Sequence, residues 1–115
     1  MERRAVIFVS HADAGALRLA GSAALAAAAL GDRVDVYLFG PAVPALVAAH
    51  DADPEEPGAA LQQARTVGEC RLIACSASVV EQKVALADAE RTLDAVVGWP
   101  TILEWSAGVT DRFFF

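Results

Sequence analysis

Short, mainly apolar segments recur along the chain, with room for a helix between each one and the next. Apolar runs of four to seven residues bounded by turn residues are typical of strands in a buried parallel sheet. Five such segments are predicted strands: Ala5–Val9, Arg33–Phe39, Cys70–Ala74, Asp94–Gly98 and Arg112–Phe115.

The segments between these strands carry apolar residues at helical spacing. The predicted helices are Ala14–Leu30, Ala45–Ala49, Ala59–Val67, Val79–Leu86 and Thr101–Ser106. Asp13 is the expected N-cap of the first helix, and Gly31 its left-handed stop. Ser78 and Glu81 form a Ser-x-x-Glu capping box, which predicts that the fourth helix begins just after Ser78. The residues after that helix, up to Leu93, are expected to be turn-like.

Strands that alternate with helices through short connections predict a single α/β domain over residues 1–115. We expect a five-stranded, mainly parallel sheet, doubly wound with right-handed crossovers and helices on both faces. In such sheets, ligands and catalytic groups gather beyond the carboxyl ends of the strands. Cys75 lies there, between the central strand Cys70–Ala74 and the next helix, and is the first candidate catalytic residue.

The order and spacing of several segments resemble the DsrE/DsrF-like family of small sulfur-relay proteins over essentially the whole chain. The matching segments are Val6–Val9, the Ala-rich first helix ending at Gly31, Val34–Phe39, Leu72–Cys75 with Ser78, Val96–Gly98 and Arg112–Phe115. The resemblance implies a five-stranded doubly wound sheet and an oligomer, often a trimer or hexamer. It also implies that Cys75, just after the third strand, accepts persulfide sulfur and passes it on. The family's transferring members continue with a basic, Gly-containing segment, whereas this chain continues with Ser76–Lys83.

Sulfur relay requires Cys75 to be a thiolate, because the thiolate is the attacking form. A helix N-terminus favours that form through its unpaired backbone donors. If Ser76 caps the helix, Cys75 lies within reach of those donors, whereas a cap at Ser78 leaves it a turn further out. The negative charge of Glu81 disfavours the thiolate form of Cys75. The alternative is that Cys75 is a small buried apolar residue.

Cys70 and Cys75 lie on one predicted strand, about 16 Å apart at about 3.3 Å per residue. This distance excludes a disulfide between them within one subunit. Their odd spacing directs the two side chains to opposite faces of the sheet. We therefore expect Cys70 to be a core residue and only Cys75 to face a cleft.

His11 is the second candidate catalytic residue. It follows the first strand, and we expect it to leave the same sheet edge as Cys75, from a neighbouring strand, where it orients or deprotonates the thiol. The alternative is a solvent-facing turn residue. The candidate ligand-binding residues at this edge are Ser10, Asp13, Ser76, Ser78 and Trp99. Trp99 and Trp105 either pack in a core or interface, or line the thiol pocket.

Other thiol chemistries fit the spacing less well. A phosphatase loop of the C-x5-R type needs Arg at position 81, where the chain has Glu81. A C-x-x-S redox site over Cys75–Ser78 would need a further strand before Trp99. The cysteines and the two histidines are not paired as zinc ligands. We expect neither a metal nor a cofactor.

The composition argues against nucleic acid and membranes as partners. The net charge is −6 with nine Lys and Arg and no basic run, which argues against nucleic acid. The Ala-rich stretch at 14–30 carries Arg18 and Ser22, and Ala is too weakly apolar to hold a helix in lipid. The first apolar run is too short for a signal peptide. We expect a cytoplasmic protein without membrane contact.

The chain is 56% hydrophobic, more than a small monomer needs for its core. The first helix has a stripe of small and apolar residues: Leu17, Ala20, Gly21, Ala24, Leu25 and Ala28. Phe113–Phe115 adds an aromatic edge that a monomer would expose. We expect a homo-oligomer, with trimer or hexamer favoured by the resemblance, and a sulfur-relay protein as a further partner. The preferred function is a sulfur carrier or sulfurtransferase-like protein; the alternative is a non-catalytic oligomeric ligand-binding or scaffold protein.

Overall fold

The computed structural model describes residues 3–115, which contain five strands and six helices. In chain order they are β1 (Arg4–Val9), α1 (Ala14–Ala29), β2 (Arg33–Leu38), α2 (Ala42–Ala49), α3 (Ala59–Val67), β3 (Cys70–Cys75), α4 (Ser76–Glu81), α5 (Leu86–Thr92), β4 (Ala95–Val97), α6 (Trp99–Trp105) and β5 (Asp111–Phe114). The strands form one sheet in the order β4-β3-β2-β1-β5, and all its pairings are parallel. The predicted α/β fold is confirmed.

Helices cover both faces of the sheet, as predicted, but unequally. Side chains alternate along each strand, so every strand contributes to both faces. One face, here called the α1 face, packs against buried residues from α1 to α5. The other, here called the α6 face, has a smaller buried cluster made of Val6, Tyr37, Ile73, Cys75 and Ile102. Ile102 is the helical member of that cluster, so α6 is its cover.

The path of the chain explains this asymmetry. From β1 to β4, each new strand adds to the same side of the previous one, with its connecting helices on the α1 face. The connection from β4 to β5 runs the opposite way, across the whole sheet. A right-handed crossover in the reverse direction must pass over the opposite face. That connection contains α6.

The small residues of α1 are used inside the domain. Five positions of the predicted stripe are buried: Leu17, Ala20, Gly21, Ala24 and Ala28. Leu25 is only partly buried. At Gly21 the helix lies so close to α3 that an added Cβ would be 2.6 Å from Ala60 Cβ. The Ala-rich composition of α1 therefore reflects close packing on α3.

Both ends of α1 follow the prediction. The Asp13 carboxylate accepts a hydrogen bond from the Ala16 backbone N–H at 3.1 Å. Gly31 has φ +89°, the left-handed conformation that glycine adopts without strain. The first boundaries of two other helices move by two or three residues: α2 begins at Ala42, so that Pro44 lies within its first turn, and α6 begins at Trp99.

The region after β3 differs from the prediction. Helix α4 begins at Ser76, so Ser78 lies inside the helix and is not its cap. Instead, Ser78 Oγ accepts a hydrogen bond from the Gly40 N–H at 2.9 Å, and this tertiary partner replaces the capping box. The helix ends at Glu81 rather than Leu86, and Lys83 turns the chain with φ 56°. The segment predicted to be turn-like contains α5.

Candidate functional site

Cys75 is the last residue of β3 and occupies the N-cap position of α4. Its strand position brings it to the carboxyl edge of the sheet, as the sequence predicted. The side chain, however, belongs to the buried cluster of the α6 face, and the residue is only 3% exposed. The expectation that the thiol faces an open cleft is therefore wrong for this chain in isolation.

Cys70 lies at the other end of β3 and points to the α1 face. The prediction that the two cysteines face opposite sides of the sheet is confirmed, as is the core position of Cys70. Burial raises the pKa of the Cys70 thiol to about 12, and the nearby carboxylates of Asp94 and Asp35 add to the rise. Both cysteines are free thiols. Cys70 is thus held in its neutral, unreactive form.

Helix α4 brings Ser76 and Ser78 beside the backbone segments that follow the two neighbouring strands. Ser78 is buried and joins α4 to Gly40, which follows β2. Ser76 lies against Gly98, where an added Cβ would be 3.6 Å from Ser76 Oγ. The two serines therefore connect the end of β3 to the loops of both neighbouring strands.

His11 is separated from Cys75 by an entire strand. The expectation that their strands are neighbours is wrong, because β2 lies between β1 and β3. Two strand spacings amount to about 10 Å. His11 is exposed and its Nδ1 lies 3.2 Å from Ser10 Oγ, whereas no hydrogen bond joins it to Cys75 within residues 3–115. Ser10 Oγ also donates to the Phe115 carbonyl at 3.4 Å. Asp13 is engaged as the cap of α1.

Trp99 belongs to a row of stacked aromatic rings on the α6 face. Its ring centroid is 5.0 Å from that of Phe39, which is 6.1 Å from Phe8, which is 4.9 Å from Phe114. We call these four side chains the aromatic row. Both ends of the row are open to solvent, with Trp99 50% and Phe114 73% exposed. The sequence analysis missed Phe39, although its spacing of two from buried Tyr37 already placed both rings on one face.

The amino-terminal half of the α6 face holds a polar network. Arg71 binds both carboxylate oxygens of Asp35, at 2.9 and 3.0 Å, and its guanidinium lies 4.6 Å from the centroid of the Trp105 ring. Arg4 donates to the carbonyl oxygens of Trp105 and Ala107 at the end of α6. These contacts hold α6 on the sheet.

Tyr37 lies two residues after Asp35 on the same face of β2 and is fully buried. Burial raises the pKa of Tyr37 to about 12, with a further rise from the charge of Asp35. Its hydroxyl has no hydrogen-bond partner among the described residues. The phenol therefore stays neutral at physiological pH.

Residues 3–115 contain no candidate metal cluster and no helix suited to cross a membrane. No three His, Cys, Asp or Glu side chains in this range converge in a way that could hold a metal ion. Within the same range, every helix is too short or too polar to cross a membrane.

The chain has an all-parallel five-stranded sheet with helices on both faces, and its fold is DsrE/F-like. The chain is similar in structure to the ychN protein from E. coli, whose crystal structure it matches with a TM-score of 0.65 at 16% sequence identity, over 100% of both chains. At this identity the similarity shows the fold alone. No family model matches the sequence, and no curated protein matches it.

Proposed function

We propose that this protein is a DsrE/F-like sulfur carrier that accepts persulfide sulfur on Cys75. One observation carries the proposal: of the two thiols, only Cys75 lies at the carboxyl edge of the sheet, where parallel α/β folds place their chemistry. Cys70 is unsuited to the role, because its pKa of about 12 leaves almost no thiolate near neutral pH.

The reaction needs one thiolate and one donor persulfide. The Cys75 thiolate attacks the outer sulfur of the donor R–S–SH, forming a bond between Sγ and that sulfur. The donor's S–S bond breaks, and its electron pair leaves with the R–S⁻ thiolate. Cys75 then carries –S–SH, and the same exchange in reverse passes the sulfur to an acceptor thiol. No external oxidant or reductant is consumed.

Intact-mass measurement after incubation with glutathione persulfide tests this proposal. The wild-type chain should gain about 32 Da, the mass of one sulfur atom, in a form that dithiothreitol removes. Cys70→Ser should gain the same mass, whereas Cys75→Ser should gain none. An adduct that persists in Cys75→Ser, or no adduct on the native wild type, would rule out a carrier based on Cys75.

A non-catalytic oligomeric ligand-binding or scaffold protein of the same fold is the second candidate. The observation that favours it is the burial of Cys75, which is 3% exposed, beside an aromatic row whose ends are open. A scaffold would use this face for assembly and leave the thiol unused. The mass experiment separates the two candidates, because only the carrier takes up sulfur.

The carrier proposal extends to partners and location. A carrier receives sulfur from one protein and delivers it to another, so the proposed hetero-partner is a sulfur-relay protein. The proposed assembly of the chain with itself is a homo-oligomer. The cytoplasm is the proposed compartment, since free thiols such as Cys70 and Cys75 persist where the medium is reducing.

A further inference from the structure

The position of Cys75 between its neighbouring strands fixes what can lie over its thiol. On one side, Cys75 pairs with Val97 of β4. On the other, Ala74 pairs with Leu38 of β2, so Phe39 comes next to Cys75 in the same register. Phe39 and Cys75 both belong to the α6 face. On the α6 face, the thiol is therefore flanked by Phe39 on one side and by Val97 on the other.

The ring of Trp99 reaches Phe39 from the β4 side of Cys75. Trp99 follows β4 by two residues, yet its ring stacks on Phe39, which follows β2. Strand β3 lies between β4 and β2, so a side chain that starts beyond one and meets the other must cross the end of β3. It crosses on the α6 face, the side from which Cys75 projects.

The exposed fractions of Trp99 and Cys75 agree with this arrangement. Trp99 is 50% exposed, whereas Cys75 is 3% exposed. The indole thus has one side in solvent and the other toward the protein. It stands at the first residue of α6 and stacks on one ring, that of Phe39. A ring held in this way can swing out by rotation about its side-chain bonds while α6 stays in place.

We propose that Trp99 is the cover of Cys75 and sets how readily reagents and sulfur donors reach the thiol. This inference rests on the proposed carrier function and adds its regulation. A donor or acceptor protein that binds the exposed indole would uncover the thiol only within the complex. Trp99 is a positioning residue in this scheme, and it takes no part in the transfer of sulfur.

Alkylation of the native protein by iodoacetamide tests the cover, with the rate at each cysteine read by peptide mass mapping. Trp99→Ala should raise the Cys75 rate at least tenfold and leave Cys70 unchanged. Trp99→Phe, which keeps a ring to stack on Phe39, should stay within a fewfold of the wild type. Leu103→Ala, at a position on α6 that is 64% exposed, is the matched control and should change neither rate.

An unchanged Cys75 rate in Trp99→Ala would overturn the proposal. A parallel rise at Cys70 would also overturn it, because that result signals general loosening of the domain. The outcome is separate from the carrier function. Faster alkylation without any sulfur adduct would leave the cover standing and refute the carrier, whereas sulfur uptake with unchanged alkylation in Trp99→Ala would do the reverse.

Discussion

At the scale of residues, Cys70 and Cys75 lie an odd number of positions apart on one strand. Their thiols therefore face opposite sides of the sheet and have different surroundings. Strand alternation made their opposite directions predictable from sequence, and the structure confirms it. Their burial was not equally predictable. The proposed cover of Cys75 depends on the stacking of Trp99 on Phe39, and the two rings meet because of the strand order, which local pattern does not encode.

The raised pKa of Cys70 predicts a stability change in alkaline solution. In the unfolded chain the thiol loses its proton near pH 9.0, whereas in the folded protein its pKa is about 12. Between these values the unfolded state binds fewer protons, so the free energy of unfolding should fall as pH rises, by at most about 1.4 kcal/mol per pH unit for this one group. Below pH 9 the contribution of Cys70 is fully retained.

Urea unfolding at several pH values from 8 to 12 measures this slope. Cys70→Ala should flatten it from pH 9 upward, whatever its effect on stability at neutral pH. Tyr37→Phe is the comparison variant, because the pKa of Tyr37 is also raised to about 12 but from 10.0, so its contribution starts one unit higher. A Cys70→Ala profile parallel to the wild type would contradict the buried, neutral thiol.

At the scale of elements, the sequence predicted all five strands and most helices. The prediction failed where tertiary contacts determine the local structure. The capping box of Ser78 and Glu81 fits the N-cap pattern. The Ser78 hydroxyl, however, accepts a hydrogen bond from the Gly40 N–H, 38 positions away, which a local motif cannot indicate. Helix α5 was missed because no Gly or Pro marks the turn before it. That turn uses Lys83 with φ 56°, a conformation uncommon outside glycine.

The close approach of α1 and α3 makes Gly21 intolerant of a methyl group. Gly21→Ala gains up to about 1 kcal/mol in helix propensity. Its Cβ would lie 2.6 Å from Ala60 Cβ, and overpacking of this kind commonly destabilises by about 1–3 kcal/mol. We therefore expect a net loss of stability on thermal unfolding. The paired change Gly21→Ala with Ala60→Gly should restore it.

Gly15→Ala provides the matched control in the same helix. An added Cβ there would meet only the Asp13 carboxylate, at an ordinary 3.4 Å. This variant should be neutral or slightly more stable than the wild type. If both glycine variants behaved alike, the small residues of α1 would not be explained by its contact with α3.

At the scale of the whole molecule, the fold class followed from alternating elements, whereas the strand order did not. That order put β2 between His11 and Cys75 and left α6 to cover one face. The exposed aromatic end that the sequence indicated is present, since Phe113 and Phe114 are 41% and 73% exposed on an edge strand. The α1 stripe, by contrast, is largely used within the domain.

We predict that self-association uses the β5 end of the aromatic row. At micromolar concentration the wild type should sediment as a dimer or larger assembly, because exposed apolar patches on small domains are commonly buried in closed oligomers. Phe114→Asp should shift it to the 12.0 kDa monomer. Leu19→Asp, which is 61% exposed on α1, is the control and should leave the assembly intact. A wild-type monomer would refute the prediction.

The return path through α6 also sets the order in which the sheet can be completed during synthesis. Strands β1 to β4 can pair as they leave the ribosome, since each neighbours the strand made just before it. The outer edge of β1 must wait for β5, which follows β4 in the chain. Until then β1, which is apolar except for Arg4, offers unpaired backbone groups to any other chain nearby. The nascent protein is therefore exposed to aggregation at this edge until β5 has emerged.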